Sequence, residues 1–291
     1  MTSSNTQNRI SYTQVSMYNQ CPYKWKLNYV DGLRQFGGNI HTIFGSAMHE
    51  VLQKYLEIMY SVTAKKANEY DYETMLHEQM IEHFKSITNE EDLPTKEEMI
   101  EFYNHGLLII DYFKKHRGEY FSKRGYSLVG CEVPIEVDLK NNIQMVGYLD
   151  IVMLDELTNT IKIYDIKTST MGWNKWMKKD TNKTDQLLYY KQFYSKQYNH
   201  PIDKIDVEYF IVKRKLWENA MFPQKRIQKF SPANGKPSLN KAGAKLVKFI
   251  DEAFTDEGEY NTEQTFEKLP SDKNCKWCEF KNSPELCDRK K

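Results

Sequence analysis

The sequence predicts a mixed α/β (α+β) fold, a central mixed sheet flanked by helices, with a helical insert before the sheet and a cysteine-bearing segment after it. Two observations carry this. Residues 143–154 (IQMVGYLDIVML) and 161–167 (IKIYDIK) are rich in β-branched and aromatic residues, and the polar run 155–160 between them reads as a turn, so the pair predicts a β-hairpin. Ahead of it, Ile43, Phe44, Ala47, Met48, Val51, Leu52, Tyr55 and Leu56 recur at helical spacing, predicting a helix from Thr42 to about Val62.

In chain order, residues 1–10 are polar and are expected to be disordered. Ser11 can cap a short helix through about Asn19, and a weaker helical stretch resumes from Lys24 to Tyr29, closing at Asp31-Gly32. After the long helix, residues 70–116 read as two helices broken at 89–95 (NEEDLPT). The run 126–139 (YSLVGCEVPIEVDL) predicts a strand, and Pro134 confines it to an edge or a bulge. Past the hairpin, 168–184 reads as a surface loop, 185–198 as a helix, 205–213 (IDVEYFIVK) as a buried strand and 240–254 as a further helix.

The hairpin also carries the chemistry. Strand side chains alternate, so Asp165 and Lys167 share one face, with Ile166 turned away between them. If Asp150 lies across the ladder from Asp165, the two carboxylates form a hard-oxygen site suited to Mg²⁺ or Mn²⁺, with Lys167 beside the ion. The bland alternative is a solvated Asp-x-Lys charge pair. Glu132 could add a further ligand, or be an exposed strand glutamate. His49 follows Gly45-Ser46, which permit another backbone to approach the helix start, though an isolated helical histidine is more often structural.

With 291 residues there is ample material for a core, and no apolar run is long enough to span a bilayer. The first ten residues lack the apolar centre of a secretory signal, so no membrane association and a cytoplasmic location are expected. Net charge is only +1, but residues 69–101 hold 11 acids and 2 bases, whereas 162–250 hold 19 bases and 7 acids. That basic excess could line a phosphate track or be ordinary solvated surface. Within it, Trp173, Lys175, Trp176, Lys178 and Lys179 interleave rings with cations as single-strand binders do, and Lys213-Arg214-Lys215 follows the buried strand. The cysteines sit at 21, 131, 275, 278 and 287. Cys275-x2-Cys278-x8-Cys287 is a metal-ligand spacing, Cys21 is the natural fourth ligand, and Cys131 reads as a small buried hydrophobe.

Taken in order, His49, Glu132, Asp150 in Gly147-x-x-Asp150, Asp165-Ile166-Lys167 and Gln186-x3-Tyr190 resemble the motifs of the PD-(D/E)XK nuclease superfamily, in its RecB-like branch. One cysteine before this set and three after it resemble the iron-sulfur members, among them AddB and the CRISPR adaptation nucleases, and 20–26 (QCPYKWK) looks like their N-terminal cysteine segment. The resemblance covers about residues 11–291 and is weakest over 60–125. It implies a restriction-endonuclease-like core organised as one integrated domain. An N-terminal segment (1–40) carries the first cluster cysteine, a helical region (41–125) holds the histidine and an insert, a nuclease core follows (126–255), and a C-terminal cluster segment (256–291) closes the chain.

By that resemblance Asp150, Asp165, Lys167, Gln186 and Tyr190 are catalytic. His49, Glu132, Asp150, Asp165 and the Ile166 carbonyl hold Mg²⁺ or Mn²⁺, and Cys21, Cys275, Cys278 and Cys287 hold a 4Fe-4S cluster, with Zn²⁺ the alternative. The implied partner is DNA, as a single strand or as ends, in a bacterial or phage-infected cell. No Walker A motif is present, so any motor, like any recombination or replication protein, would be a separate partner. Two departures stand out: the last cysteine gap is longer than the family's, and the lack of a motor resembles a stand-alone phage-type exonuclease, its helical insert serving as an arch for a threading strand. A non-catalytic iron-sulfur DNA-binding subunit is the rival reading. A glycoside hydrolase is disfavoured by the lysine and the basic surplus.

Overall fold

A computed structural model describes residues 8–34 and 37–289. It contains one mixed sheet between two helical layers. Strand β1 (Asn8–Ile10) leads into helices α1 (Tyr12–Gln20) and α2 (Pro22–Trp25), the latter running on as a π-helical turn to Val30. Helices α3 (Ile40–Ser61), α4 (Ala64–Glu69), α5 (Tyr72–Lys85) and α6 (Lys96–His116) follow. Then come β2 (Tyr126–Asp138), β3 (Ile143–Asp155) and β4 (Thr160–Ser169), helices α7 (Lys175–Lys179) and α8 (Thr181–Tyr198), β5 (Ile205–Lys213), β6 (Ile227–Phe230), α9 (Lys236–Ala253) and the short α10 (Asp272–Cys275).

The expected hairpin is β3–β4, antiparallel from Ile151↔Tyr164 to Asp155↔Thr160. β4 pairs β5 in parallel, and β5 pairs β6 antiparallel. β2 lies along the other side of β3 as an edge strand, which is where a proline that cannot donate to a ladder is tolerated. The N-terminal expectation needs one correction. Asn8–Ile10 form a strand parallel to β3, and Ile10 is buried in the core. Residues 1–7, also expected to be disordered, lie outside the described residues.

β1 takes β3 at Ile143–Met145 and β4 takes it from Ile151 onward, so among the described residues the intervening stretch of β3 has no ladder partner on that side. Asp150 stands at the mouth of this gap, where β3 and β4 splay apart.

Each face of the sheet buries its own apolar cluster. On one, α1, α2, α8 and α9 cover Val152, Ile163, Val207 and Ile211, with Trp25 and Phe249 at the centre. On the other, α3 to α6 cover Ile151, Met153, Ile166 and Phe210. The two helices expected over residues 70–116 are α5 and α6, and a short α4 precedes them. α3 starts with a capping box in which Asn39 and Thr42 satisfy each other's backbone, and this fixes the helix entry on the site side. Gly45, one turn before His49, lets α3 lie close to the end of β4: a Cβ there would stand 3.3 Å from the Thr168 hydroxyl.

Candidate active site

Three strands each deliver one carboxylate to the same level of the sheet. The pairs Cys131↔Ile151 and Val133↔Leu149 bracket Glu132 opposite Asp150, and the ladder ending at Ile151↔Tyr164 sets Asp165 on the other side of Asp150. Glu132 has a left-handed backbone (φ +50°), and a register shift between Leu128 and Gly130 precedes it. Irregularities of this kind re-aim a strand side chain.

Asp150 Oδ2 accepts the Ile166 N–H at 2.6 Å and lies 3.5 Å from His49 Nδ1. Asp165 is 1% exposed. Its Oδ2 lies 2.8 Å from Lys167 Nζ, and its Oδ1 is buried without a hydrogen-bond partner. Lys167 donates to Gln186 Oε1 at 3.0 Å, and the other end of that amide donates to the Tyr190 hydroxyl at 2.8 Å. The helical spacing of Gln186 and Tyr190 therefore produces a relay that aims the ammonium. Gly147 faces the Tyr190 ring, with a notional Cβ 3.6 Å from it.

The electrostatics follow from burial. Removal from water pushes the Asp150 carboxyl up to about 7 and that of Asp165 to about 6, with Lys167 pulling both the other way. Burial works against the Lys167 ammonium, but Asp165 and Asp150 outweigh it and hold its pKa above the ordinary lysine value. Burial and the Lys167 charge lower His49 to about 4, so at neutral pH its imidazole carries a free lone pair. These acids share one lysine and leave a buried Asp165 oxygen unsatisfied, a donor set whose charge and hardness match a divalent cation. Among the described residues no three His, Cys, Asp or Glu side chains stand close enough to enclose an ion as placed.

One residue of this site escaped the sequence reading. Gln53, one turn beyond His49 on α3, donates to Glu132 Oε1 at 2.5 Å and to the Asp150 carbonyl at 3.0 Å, and it is buried. The signal was present as spacing: positions 49 and 53 share a helix face.

Four cysteines meet at a second place. Cys21, Cys275, Cys278 and Cys287 line one apolar cavity of about 30 Å³. Cys131 lies elsewhere, half-buried on β2, with Sγ 3.9 Å from the Gln53 carbonyl and burial pushing its thiol up to about 12.

Two of the expected DNA contacts are corrected. Trp173 is buried against Tyr209 and Phe230, so its faces are taken. Arg214 is buried between α6 and β5, bonding Glu101 at 2.9 Å and His105 at 3.1 Å and lying 3.8 Å over the Phe102 ring. Trp176 is exposed, with Lys175 over its ring, and Lys178 and Lys179 lie on the same short helix α7. Lys213 lies at the end of β5, and Lys215 pairs with Glu101 at 2.8 Å.

A search of curated proteins finds no match. Among solved structures, a protein of Eubacterium rectale with a provisional exonuclease assignment has the same fold, with a TM-score of 0.54 at 13% identity over 97% of this chain and 92% of that one. No described helix is long and apolar enough to cross a membrane. The sequence model of the PD-(D/E)XK nuclease superfamily matches residues 9–283, and with nearly the whole chain so accounted for, the protein belongs to that superfamily.

Proposed function

We propose that this protein is a Mg²⁺- or Mn²⁺-dependent deoxyribonuclease, an exonuclease acting on single-stranded DNA or DNA ends in recombination, repair or phage DNA metabolism. One observation carries the reading: the buried carboxylate of Asp165, with one oxygen 2.8 Å from the Lys167 ammonium and the other without a hydrogen-bond partner, lies beside Asp150, and Gln186 holds that amine in place. Asp150, Asp165, Glu132, neutral His49 and the Ile166 carbonyl are the groups that would hold the cation. A bound divalent ion supplies countercharge to the phosphate and lowers the pKa of water.

The chain's own residues do the rest. Lys167, kept protonated by its two acids, donates to the attacking water or to the charge that develops on the phosphate. Gln186 and Tyr190 keep its Nζ pointed at that spot, and the Ile166 N–H fixes one oxygen of Asp150. Phosphodiester hydrolysis needs such fixed countercharge because the anion repels its nucleophile.

The same resemblance supports a 4Fe-4S cluster on Cys21, Cys275, Cys278 and Cys287, whose convergence on one cavity from opposite chain ends fits a four-thiolate donor set. Zn²⁺ is the alternative ion for that set.

The test is digestion of end-labelled single- and double-stranded DNA with Mg²⁺, Mn²⁺ or EDTA. Cleavage is expected with either metal and none with EDTA. Asp165→Asn is expected to abolish it, and Lys167→Ala to slow it about 10²–10³-fold, the usual effect of losing one fixed donor. DNA binding without cleavage by the wild-type chain would refute the hydrolytic reading and make the protein a non-catalytic DNA-binding subunit.

A further inference from the structure

The loop between β5 and β6 projects three large apolar side chains into solvent. Trp217 is 70% exposed, Met221 91% and Phe222 79%. Such groups normally avoid water, and their grouping on one loop calls for an occupant. The loop is built, not slack. The Gln224 side chain accepts the Trp217 N–H at 2.9 Å and donates to the Trp217 carbonyl at 2.6 Å, closing a ring of backbone behind the aromatic groups. Below that ring the Lys213 N–H donates to the Arg226 carbonyl at 2.7 Å, and Arg226 Nη1 donates to the Arg214 carbonyl at 3.0 Å. Trp217, Met221, Phe222 and Met171 border an open trough of about 860 Å³.

Position and charge select the occupant. The loop's base is stitched to the end of β4, where the Arg214 N–H donates to the Ser169 carbonyl and the Lys215 N–H to that of Thr170, both at 2.8 Å. Ser169 is two residues past Lys167, about 7 Å along the strand. The base of the loop therefore adjoins the end of the strand that carries Asp165 and Lys167. Between 213 and 226 the chain carries five cations and one acid, Glu218. Glu101 and Glu119 take up Arg214, Lys215 and Lys225, which leaves Lys213 and Arg226 with no carboxylate partner among the described residues. Unpaired bases present flat apolar faces strung on an anionic backbone, and exposed rings on a loop whose base holds two half-buried cations without a carboxylate partner match that combination. A duplex hides those faces in its own stack.

We propose that the 216–224 loop is a stacking platform for unpaired nucleobases, with Trp217 and Phe222 holding the strand beside the hydrolytic centre; this rests on the nuclease reading for its choice of ligand. Lys213 and Arg226 contribute phosphate attraction of the sequence-independent kind.

The experiment measures binding in EDTA, so that cleavage plays no part. Fluorescein-labelled oligo(dT), an abasic strand of equal length and a duplex are titrated with the full chain. The wild type is expected to prefer oligo(dT) to the abasic strand and to lose Trp fluorescence on binding it. Trp217→Ala with Phe222→Ala should weaken oligo(dT) binding about 10-fold or more, as loss of stacked bases does, while leaving the abasic affinity where it was. Trp217→Phe should restore most of the preference, which a merely structural role would not require. Unchanged oligo(dT) affinity in the double alanine variant would overturn the proposal and leave the loop to an apolar protein partner. The two readings fail separately. A wild type that binds oligo(dT) through Trp217 but cleaves no DNA sinks the nuclease assignment alone, whereas cleavage with a dispensable loop sinks the platform alone.

Discussion

Gln53 does for Glu132 what Gln186 does for Lys167, holding a side chain that is chemically apt but geometrically free. Its replacement by leucine leaves the Glu132 carboxylate and the Asp150 carbonyl without their donor, at a cost of about 1–3 kcal/mol in stability. The sharper readout is metal dependence. Outer contacts of this kind are worth about 10–100-fold in metal affinity, so Gln53→Leu should raise the half-saturating Mg²⁺ or Mn²⁺ concentration for DNA cleavage about 10-fold or more, with activity recovered at high metal. An unchanged metal titration would reduce Gln53 to a packing residue. At this scale strand alternation made Asp150, Asp165 and Lys167 legible because it acts within a few residues, and His49 and Glu132 became legible only through the family resemblance. Gln53 was not, since glutamine has no charge to flag it and its partners are 79 and 97 residues away.

Arg214 marks the same boundary at the scale of elements. In sequence Lys213-Arg214-Lys215 is a basic run, and a basic run beside a buried strand reads as a phosphate track. In the fold α6 crosses it with Glu101, His105 and Phe102, which turns Arg214 into the tie between the helical layer and the sheet. No spacing rule connects positions 113 residues apart. β1 and β6 were missed for a simpler reason: three and four residues are too few to show a period. The long α3 and α6, the hairpin and β5 were readable because their apolar residues repeat often enough to name a face. The tie is testable by acid. Hydrogen bonds from Lys215 and Arg214 hold the Glu101 carboxyl down at about 2, against an ordinary value of 4.5. A depressed carboxyl contributes stability that is complete above its unfolded pKa and is lost as pH falls toward its folded one. The gap in melting temperature between wild type and Glu101→Gln should therefore be constant above about pH 5 and shrink as pH drops toward 2. A gap that does not change with pH would mean that Glu101 contributes no charge interaction there.

At the scale of the whole molecule, the two chain ends are brought together by ordinary packing before any cluster is considered. Trp25 lies among Phe249, Phe254, Tyr260 and Phe266, and Tyr18 donates to Glu252 at 2.7 Å. Gln20 and Asn274 exchange side-chain to backbone bonds at 3.3 and 2.9 Å, Tyr23 donates to the Leu286 carbonyl at 3.0 Å, and Lys24 pairs with Glu279 at 2.8 Å. The cysteine spacing and the family resemblance together predicted the meeting of the ends, while the aromatic shell that enforces it was not legible in the sequence. A cluster held by these four thiols would cross-link most of the chain's length, and by loop-closure reasoning such a link would be worth about 5–6 kcal/mol, roughly 10 °C in melting temperature for a chain of this size. The wild-type protein is expected to be brown and to carry iron and acid-labile sulfide. Cys21→Ser, Cys278→Ser and Cys287→Ser should each bleach it and lower its melting temperature, with new proteolytic nicking at Lys273 and Lys276. Cys131→Ser, with its sulfur against the Gln53 carbonyl and away from the four-cysteine cavity, should keep both the colour and the melting temperature. Stoichiometric zinc in a colourless wild type would replace the cluster with a zinc staple. Colour that survives Cys287→Ser would break the four-thiolate set itself, and the aromatic shell around Trp25 would then have to hold the ends together unaided.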